Sequence, residues 1–250
     1  MADALLEISG LTKRFGGLTA NDALSLDVTA GELHAVIGPN GAGKTTLIAQ
    51  LSGELRPDAG TIRFAGEEIA AVSSAGRVHR GLARSFQIPQ LLSDYTACEN
   101  VALAAHAKAG HSYRFWADAR RNRSLRDAAM ASLRRVGLTS RADVAVKELS
   151  HGEQKQLELA IALATGPRML LLDEPMAGLG AVECADMIDL LRQLKQDITI
   201  LLVEHDMDAV FALADRVSVL VNGQRVATGT SEEVKNDPTV RMAYLGEGGV

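Results

Sequence analysis

Eight consecutive residues, Gly38-Pro39-Asn40-Gly41-Ala42-Gly43-Lys44-Thr45, constrain this chain more than any other stretch. They fit G-x-x-x-x-G-K-[ST], a loop whose glycines let backbone N–H groups turn inward around a polyphosphate. The lysine of such a loop reaches the outer phosphates, and its hydroxyl residue can hold Mg²⁺. The flanks suit the loop. Residues 34–37 (HAVI) read as a buried strand entering it, and residues 46–51 (TLIAQL) as a helix leaving it with its N-terminus toward the anion. A strand–loop–helix unit of this kind belongs in an α/β fold and implies a bound nucleoside triphosphate.

The remaining pattern extends that core. Residues 5–8, 24–28 and 61–64 alternate or run apolar between glycine-containing turns and read as strands. From 99 to 164 the chain is rich in Ala, Leu and Arg at helical spacing, with Gly110 and Gly137 as breaks. Continuous apolar runs return at 169–172, 199–203 and 217–221, separated by helical stretches such as 182–195, the pattern of a parallel sheet covered on both faces. A length of 250 residues suits one large domain with a subdomain inserted. The tail at 246–250 (GEGGV) is expected to fray.

Composition excludes several classes. A formal net charge of −5 argues against a dedicated nucleic-acid binder. Cys98 and Cys184 lie far apart without metal-ligand spacing and are expected as free thiols in a reducing cytosol. The first nine residues lack the basic stretch of a signal peptide, and the apolar runs at 198–203 and 217–221 fall well short of the ~20 residues that cross a bilayer.

Further candidates for chemistry follow the loop. The run at 169–172 ends in Asp173-Glu174, and carboxylates at the C-terminal end of a parallel strand sit where open α/β sheets bind ligands. Asp173 is placed to hold hydrated Mg²⁺ and Glu174 to orient or deprotonate an attacking water. Residues 149–154 (LSHGEQ) allow two readings. Ser150 and Glu153 form a capping pair at a helix start, and Ser150 with Gly152 offer a hydroxyl and an unhindered N–H to an anion. Gln87 stands where the β-rich part gives way to helices, and its amide could reach a metal or water. His205 follows an apolar strand and could hydrogen-bond a terminal phosphate.

Taken in order, the loop at 38–46, Gln87, LSHGEQ at 149–154, MLLLDE at 169–174 and His205 resemble the ATP-binding-cassette ATPase family over essentially the whole chain. The resemblance implies an α/β fold: a P-loop NTPase core with a parallel sheet, an antiparallel β subdomain and an inserted helical subdomain. It implies one domain over 1–250, with 1–87 and 165–250 as the nucleotide-binding core and 88–164 as the helical signature subdomain. It also implies roles. Phe15 stacks on adenine; Gly38, Pro39, Asn40, Gly41, Ala42, Gly43, Lys44, Thr45 and Thr46 hold ATP; Thr45, Gln87 and Asp173 serve Mg²⁺. Glu174 is the catalytic base, Gln87 the sensor of the transport partner and His205 the switch residue, while Ser150 and Gly152 contact the γ-phosphate held by a second cassette.

A narrower resemblance is to the larger of the paired cassettes of branched-chain amino acid importers, carried by RFGG at 14–17, ARSFQ at 83–87, EPMAGL at 174–179, VEHDM at 203–207 and AYLG at 243–246. Cassettes of urea and amide importers share most of these motifs. The chain departs from the common pattern in Phe15 for Tyr, in His151 and Glu153 within the signature, and in Gly180, where Asp or Asn is usual. The resemblance implies an ATPase energising a membrane importer for branched-chain or other hydrophobic amino acids; an importer of urea or amides, or an ATPase of nucleic-acid metabolism, are the alternatives. Its partners would be transmembrane permease subunits, a second cassette in a homo- or heterodimer and, indirectly, an external substrate-binding protein, with no nucleic acid. It would sit in the cytoplasm, peripheral on the inner face of the membrane. Residues 88–92 (IPQLL) are the expected docking surface. The basic stretch 106–135, with eight Lys/Arg against two Asp, would face the membrane.

Overall fold

The computed structural model describes residues 4–85, 91–108 and 123–245. Two sheets form the frame. The first is antiparallel, in the order β2-β1-β4-β5, built from β1 (Ala4–Phe15), β2 (Leu18–Thr29), β4 (Ala59–Phe64) and β5 (Glu67–Glu68). The second has the order β10-β9-β3-β8-β7-β6, with β3 (Leu33–Ile37), β6 (Leu82–Arg84), β7 (Met169–Asp173), β8 (Thr199–Val203) and β9 (Arg216–Val221) mutually parallel. Strand β10 (Gln224–Gly229) closes it antiparallel to β9.

The apolar runs earn their central places. All five residues of β3, β7 and β8 are buried, because both faces of a parallel sheet are covered. Side chains alternate between them: Leu170, Leu172, Ile200 and Leu202 join one core, and Met169, Leu171, Leu201 and Val203 join the other. The second core fills the space between the two sheets and takes in Leu47, Ile48 and Leu51 of α1 (Lys44–Ser52). Each such Leu or Ile contributes ~1.5–3 kcal/mol on burial.

Helix α1 is fixed at its far end by a residue the sequence pattern does not advertise. Arg77, in the short α2 (Ser74–His79), is 1% exposed and donates to the carbonyls of Gln50 (2.6 Å) and Leu51 (2.7 Å). A cation there satisfies orphan carbonyls and complements the negative end of the helix dipole.

The expected helical stretch resolves into α3 (Ala97–Lys108), α4 (Arg123–Arg135), two 3₁₀ turns and α5 (His151–Ala164), which pack together with α6 (Ala181–Leu194) on the first core. Three shorter helices, α7 (Met207–Leu213), α8 (Ser231–Asn236) and α9 (Pro238–Leu245), cover the β9 side through Val210, Val234 and Val240. Strand β1 runs on to Phe15, well past residues 5–8, and its pairing with β2 shifts register at several points. The tail at 246–250 lies outside the described residues, as does most of the 106–122 part of the basic stretch.

Candidate active site

Strand β3 delivers the phosphate loop to the top of the parallel sheet, and the loop is squeezed from two sides. A Cβ on Gly38 would lie 2.2 Å from the Leu220 carbonyl oxygen, and one on Gly43 would lie 2.2 Å from that of Ala20. Gly43 also has φ +96°, left-handed backbone that favours glycine. These two positions are glycine because backbone from β9 and β2 occupies the space. Asn21, fully buried on β2, donates to the Gly43 carbonyl at 3.2 Å and accepts from Gln50 of α1 at 2.6 Å, so the antiparallel sheet braces the loop.

Lys44 begins α1 and folds back over the loop, its Nζ donating to the carbonyls of Gly38 (2.6 Å) and Pro39 (3.0 Å). Burial pulls its ammonium below the usual lysine range, and the carboxylates of Glu174 and Asp173 oppose that pull. Beside it opens a cleft of about 310 Å³ with residues 40–46 as floor, Glu174 on one wall and Phe15 and Leu18 at the mouth. Those two face each other across the β1–β2 hairpin and are 49% and 66% exposed, an apolar platform of a size to take a base. The Lys13 ammonium sits 5.7 Å from the Phe15 ring centroid.

Asp173 ends β7 and is 1% exposed. Its Oδ2 accepts from Arg84 at 3.1 Å, while Oδ1 is buried with no hydrogen-bond partner. Burial pushes this carboxyl up, against the guanidinium of Arg84 and the ammonium of Lys44, which favour the charged form. Arg84 reaches it because β6 pairs in parallel with β7, setting Arg84 opposite Leu171, and Arg84 is held from behind by Glu54 at 2.6 Å. An orphaned hard oxygen at the end of β7 suits Mg²⁺, which keeps much of its water and is held by one or two carboxylates plus substrate phosphates. Among the described residues no group of three or more His, Cys, Asp or Glu forms a protein-only metal cage.

Glu174 has φ +48°. Left-handed backbone costs a non-glycine residue ~1–2 kcal/mol and survives where surrounding contacts enforce it. Its N–H donates to the Val203 carbonyl at 2.9 Å. His205, largely exposed, places Nδ1 3.9 Å from Glu174 Oε1 and 3.7 Å from Glu204 Oε2. Lys44 and Glu174 therefore share one cleft; Asp173 lies near enough to Lys44 for their charges to interact and His205 stands beside Glu174, while Gln87 lies outside the described residues.

Ser150 and Gly152 do not line that cleft. They open on a separate hollow of about 150 Å³ with Leu179, Glu183 and Asp186. The capping pair is formed there: Ser150 Oγ accepts from Glu153 N at 3.2 Å, and Glu153 Oε2 accepts from Ser150 N at 2.8 Å. The unusual signature and post-Glu174 residues meet here too. His151 Nε2 lies 3.2 Å from where a Cβ on Gly178 would stand, and the Glu183 carboxylate, which accepts from the Gly180 N–H at 3.1 Å, would have to shift to admit a Cβ on Gly152, 2.6 Å away. Sequence reasoning passed over Arg84 and Glu204; both stand inside quoted motifs, ARSFQ and VEHDM, and nothing in their spacing reveals their partners.

Comparison with known proteins agrees with this geometry. The chain matches the ABC transporter family over residues 21–177, and residues 224–250 match the family described as branched-chain amino acid ATP-binding cassette transporter. The chain belongs to the ABC transporter ATPase family, with the P-loop NTPase fold and an ATP-binding, ATP-hydrolysing activity. Among its relatives, the high-affinity branched-chain amino acid transport ATP-binding protein BraF of Pseudomonas aeruginosa is 39% identical over 99% of this chain and all of the relative. LivG of Escherichia coli strain K12, described in the same words, is 37% identical with the same coverage. Two solved cassettes superpose closely. A nucleotide-free ATP-binding cassette from an ABC transporter gives a TM-score of 0.86 at 32% identity, covering 97% of this chain and 99% of its own. The ADP conformation of MJ1267, also an ATP-binding cassette of an ABC transporter, gives 0.87 at 33%, covering 98% and 99%.

Proposed function

We propose that this chain is the ATP-hydrolysing subunit of an importer for branched-chain amino acids, acting as one of two cassettes on the cytoplasmic face of the membrane. The observation that carries the assembly is the split site. The loop cleft holds Lys44 and Glu174, yet Ser150 and Gly152, the expected contacts for a terminal phosphate, open on a separate hollow elsewhere on the molecule. Two copies, or this chain with a sister cassette, complete each other's sites head to tail. The helical stretch at 88–164 then acts as a subdomain that carries Ser150 to the partner's nucleotide, and ATP biases a two-state closure.

Within each cleft, Phe15 stacks on the base, residues 38–46 cradle the phosphates, and Lys44 exchanges its loop carbonyls for the β- and γ-phosphates. Mg²⁺ would be held by Thr45 and Asp173, with Gln87 as a further candidate, and supplies charge neutralisation at the transferring phosphoryl group. Glu174 orients and deprotonates the attacking water, and His205 reads the γ-phosphate.

No described helix is long and apolar enough to cross a membrane, so transmembrane permease subunits would supply the passage and an external binding protein the substrate. An apolar groove of about 210 Å³ between Ser85, Leu91 and Ile161 suits a helix from such a permease. The branched-chain assignment rests on the match at residues 224–250 and on the named transport function of BraF and LivG. The test is reconstitution with the membrane subunits in liposomes. ATP-dependent uptake of leucine, isoleucine and valine is expected, and loss of uptake in Glu174→Gln; uptake of urea or amides in place of these amino acids would overturn the substrate assignment.

A further inference from the structure

Glu204 directly follows β8 and has no exposed surface, and a carboxylate is rarely left there without compensation. Its partners are backbone N–H groups on two different turns. Oε1 accepts from the Met176 N–H at 3.0 Å, and Oε2 accepts from the His205 N–H at 3.0 Å. Met176 lies two residues beyond Glu174, across Pro175, and its own side chain is buried. His205 follows Glu204 directly, and its Nδ1 stands between the two carboxylates, 3.7 Å from Glu204 and 3.9 Å from Glu174. Burial pushes the Glu204 carboxyl up, and the backbone N–H groups of Met176, His205 and Asp206 work against that by favouring the ionised form.

The strained backbone of Glu174 gives this arrangement a purpose. A residue at φ +48° relaxes unless it is held from both ends. The Val203 carbonyl fixes its N–H on one side. On the other, the Ala177 N–H holds the Glu174 carbonyl at 3.1 Å within the same turn, and the first N–H after Pro175, that of Met176, is the one Glu204 takes, tying this turn to the next strand end.

We propose that Glu204 is a positioning residue: a buried carboxylate that locks the turn bearing Glu174 to the turn bearing His205, so that both move as one unit against the terminal phosphate. The proposal rests on the roles given above to Glu174 and His205. It adds that the distance between them is set by a third residue that never touches the nucleotide.

Glu204→Gln separates this role from folding. The amide has nearly the same shape but a single acceptor oxygen, so one of the two N–H groups faces an NH₂ and its link is lost. With Phe15 and the phosphate loop untouched, KM for ATP should stay within about twofold while kcat falls by about tenfold or more, the cost of misplacing a catalytic group by a fraction of an ångström to an ångström. In amide NMR of the wild-type chain, the Met176 and His205 protons should be shifted downfield and protected from exchange, and Glu204→Gln should move both. Wild-type kcat in Glu204→Gln, beside inactive Glu174→Gln and His205→Ala, would overturn the clamp and leave the catalytic roles standing. Wild-type turnover in those two controls would overturn the roles and the clamp together. Should Glu204→Gln fail to fold, the wild-type spectrum decides, and ordinary, rapidly exchanging Met176 and His205 amides would overturn the proposal.

Discussion

Gly43 and Gly41 show how much one atom matters in the phosphate loop. Both have left-handed backbone, at φ +96° and +79°, but a Cβ on Gly43 would strike the Ala20 carbonyl whereas one on Gly41 meets nothing within 4 Å. Gly41→Ala should cost only the conformational penalty, ~1–2 kcal/mol. Gly43→Ala must displace the loop or β2, and should abolish nucleotide binding. Titration with a fluorescent ATP analogue, beside thermal unfolding of each variant, checks the order; equal losses would mean that the Ala20 contact is easily relieved. At this scale the loop was legible from its motif, and Asp173, Glu174 and His205 stood out as candidates because each follows an apolar run and falls in the family's order of motifs along the chain. Arg84 was not. Its carboxylate partner is 89 residues away in sequence, and only the β6–β7 register brings the two together.

Helices carry their own conflicts. Glu158 on α5 is buried against the apolar groove beside Leu91 and Ile161. Burial pushes its carboxyl up to about 7 from an ordinary 4.5, with the Lys155 ammonium pulling the other way. The folded chain thus holds this proton more tightly than the unfolded chain does. The resulting stabilisation is fully present below 4.5 and is lost as pH rises through about 7. Two to three pH units at about 1.4 kcal/mol each make that roughly 3 kcal/mol. Glu158→Gln carries no titratable proton, so it should match wild type near pH 4.5 and melt higher above about pH 8, in thermal unfolding followed at both. A difference that does not grow with pH would contradict the burial argument. Arg77 poses the opposite case, a buried cation that stabilises. Arg77→Met should lower stability by about 2–4 kcal/mol in denaturant titration, because the Gln50 and Leu51 carbonyls lose charged donors in a dry setting. Neither residue could be read from periodicity. Glu158 interrupts an apolar helical face, and Arg77 lies in a six-residue helix that only the tertiary fold places under α1. The long elements were legible, since α6 and the fully buried strands have strong patterns and α5 is apolar-rich despite Glu158; β6, with three residues, offers too little pattern to register.

At the scale of the whole molecule, the proposed pairing with a second cassette makes its own demand. The loop cleft and the signature residues Ser150 and Gly152 open on different hollows. Ser150→Arg should therefore leave ATP binding to the single subunit within about twofold, while placing a bulky side chain at the helix start and abolishing ATP-driven association, as read by sedimentation; normal association would remove Ser150 from the interface. The proposed division of the site comes from the order of motifs along the chain, because spacing in sequence says nothing of which copy a helix end will face. The central claim, that Glu174 drives hydrolysis inside an ATP-closed pair of cassettes, is tested most directly by Glu174→Gln followed through ATP hydrolysis and sedimentation together. The expected result is turnover reduced by about 10²-fold or more, with ATP holding the variant as a stable dimer; near-normal turnover, or a variant that stays monomeric in saturating ATP, would contradict it.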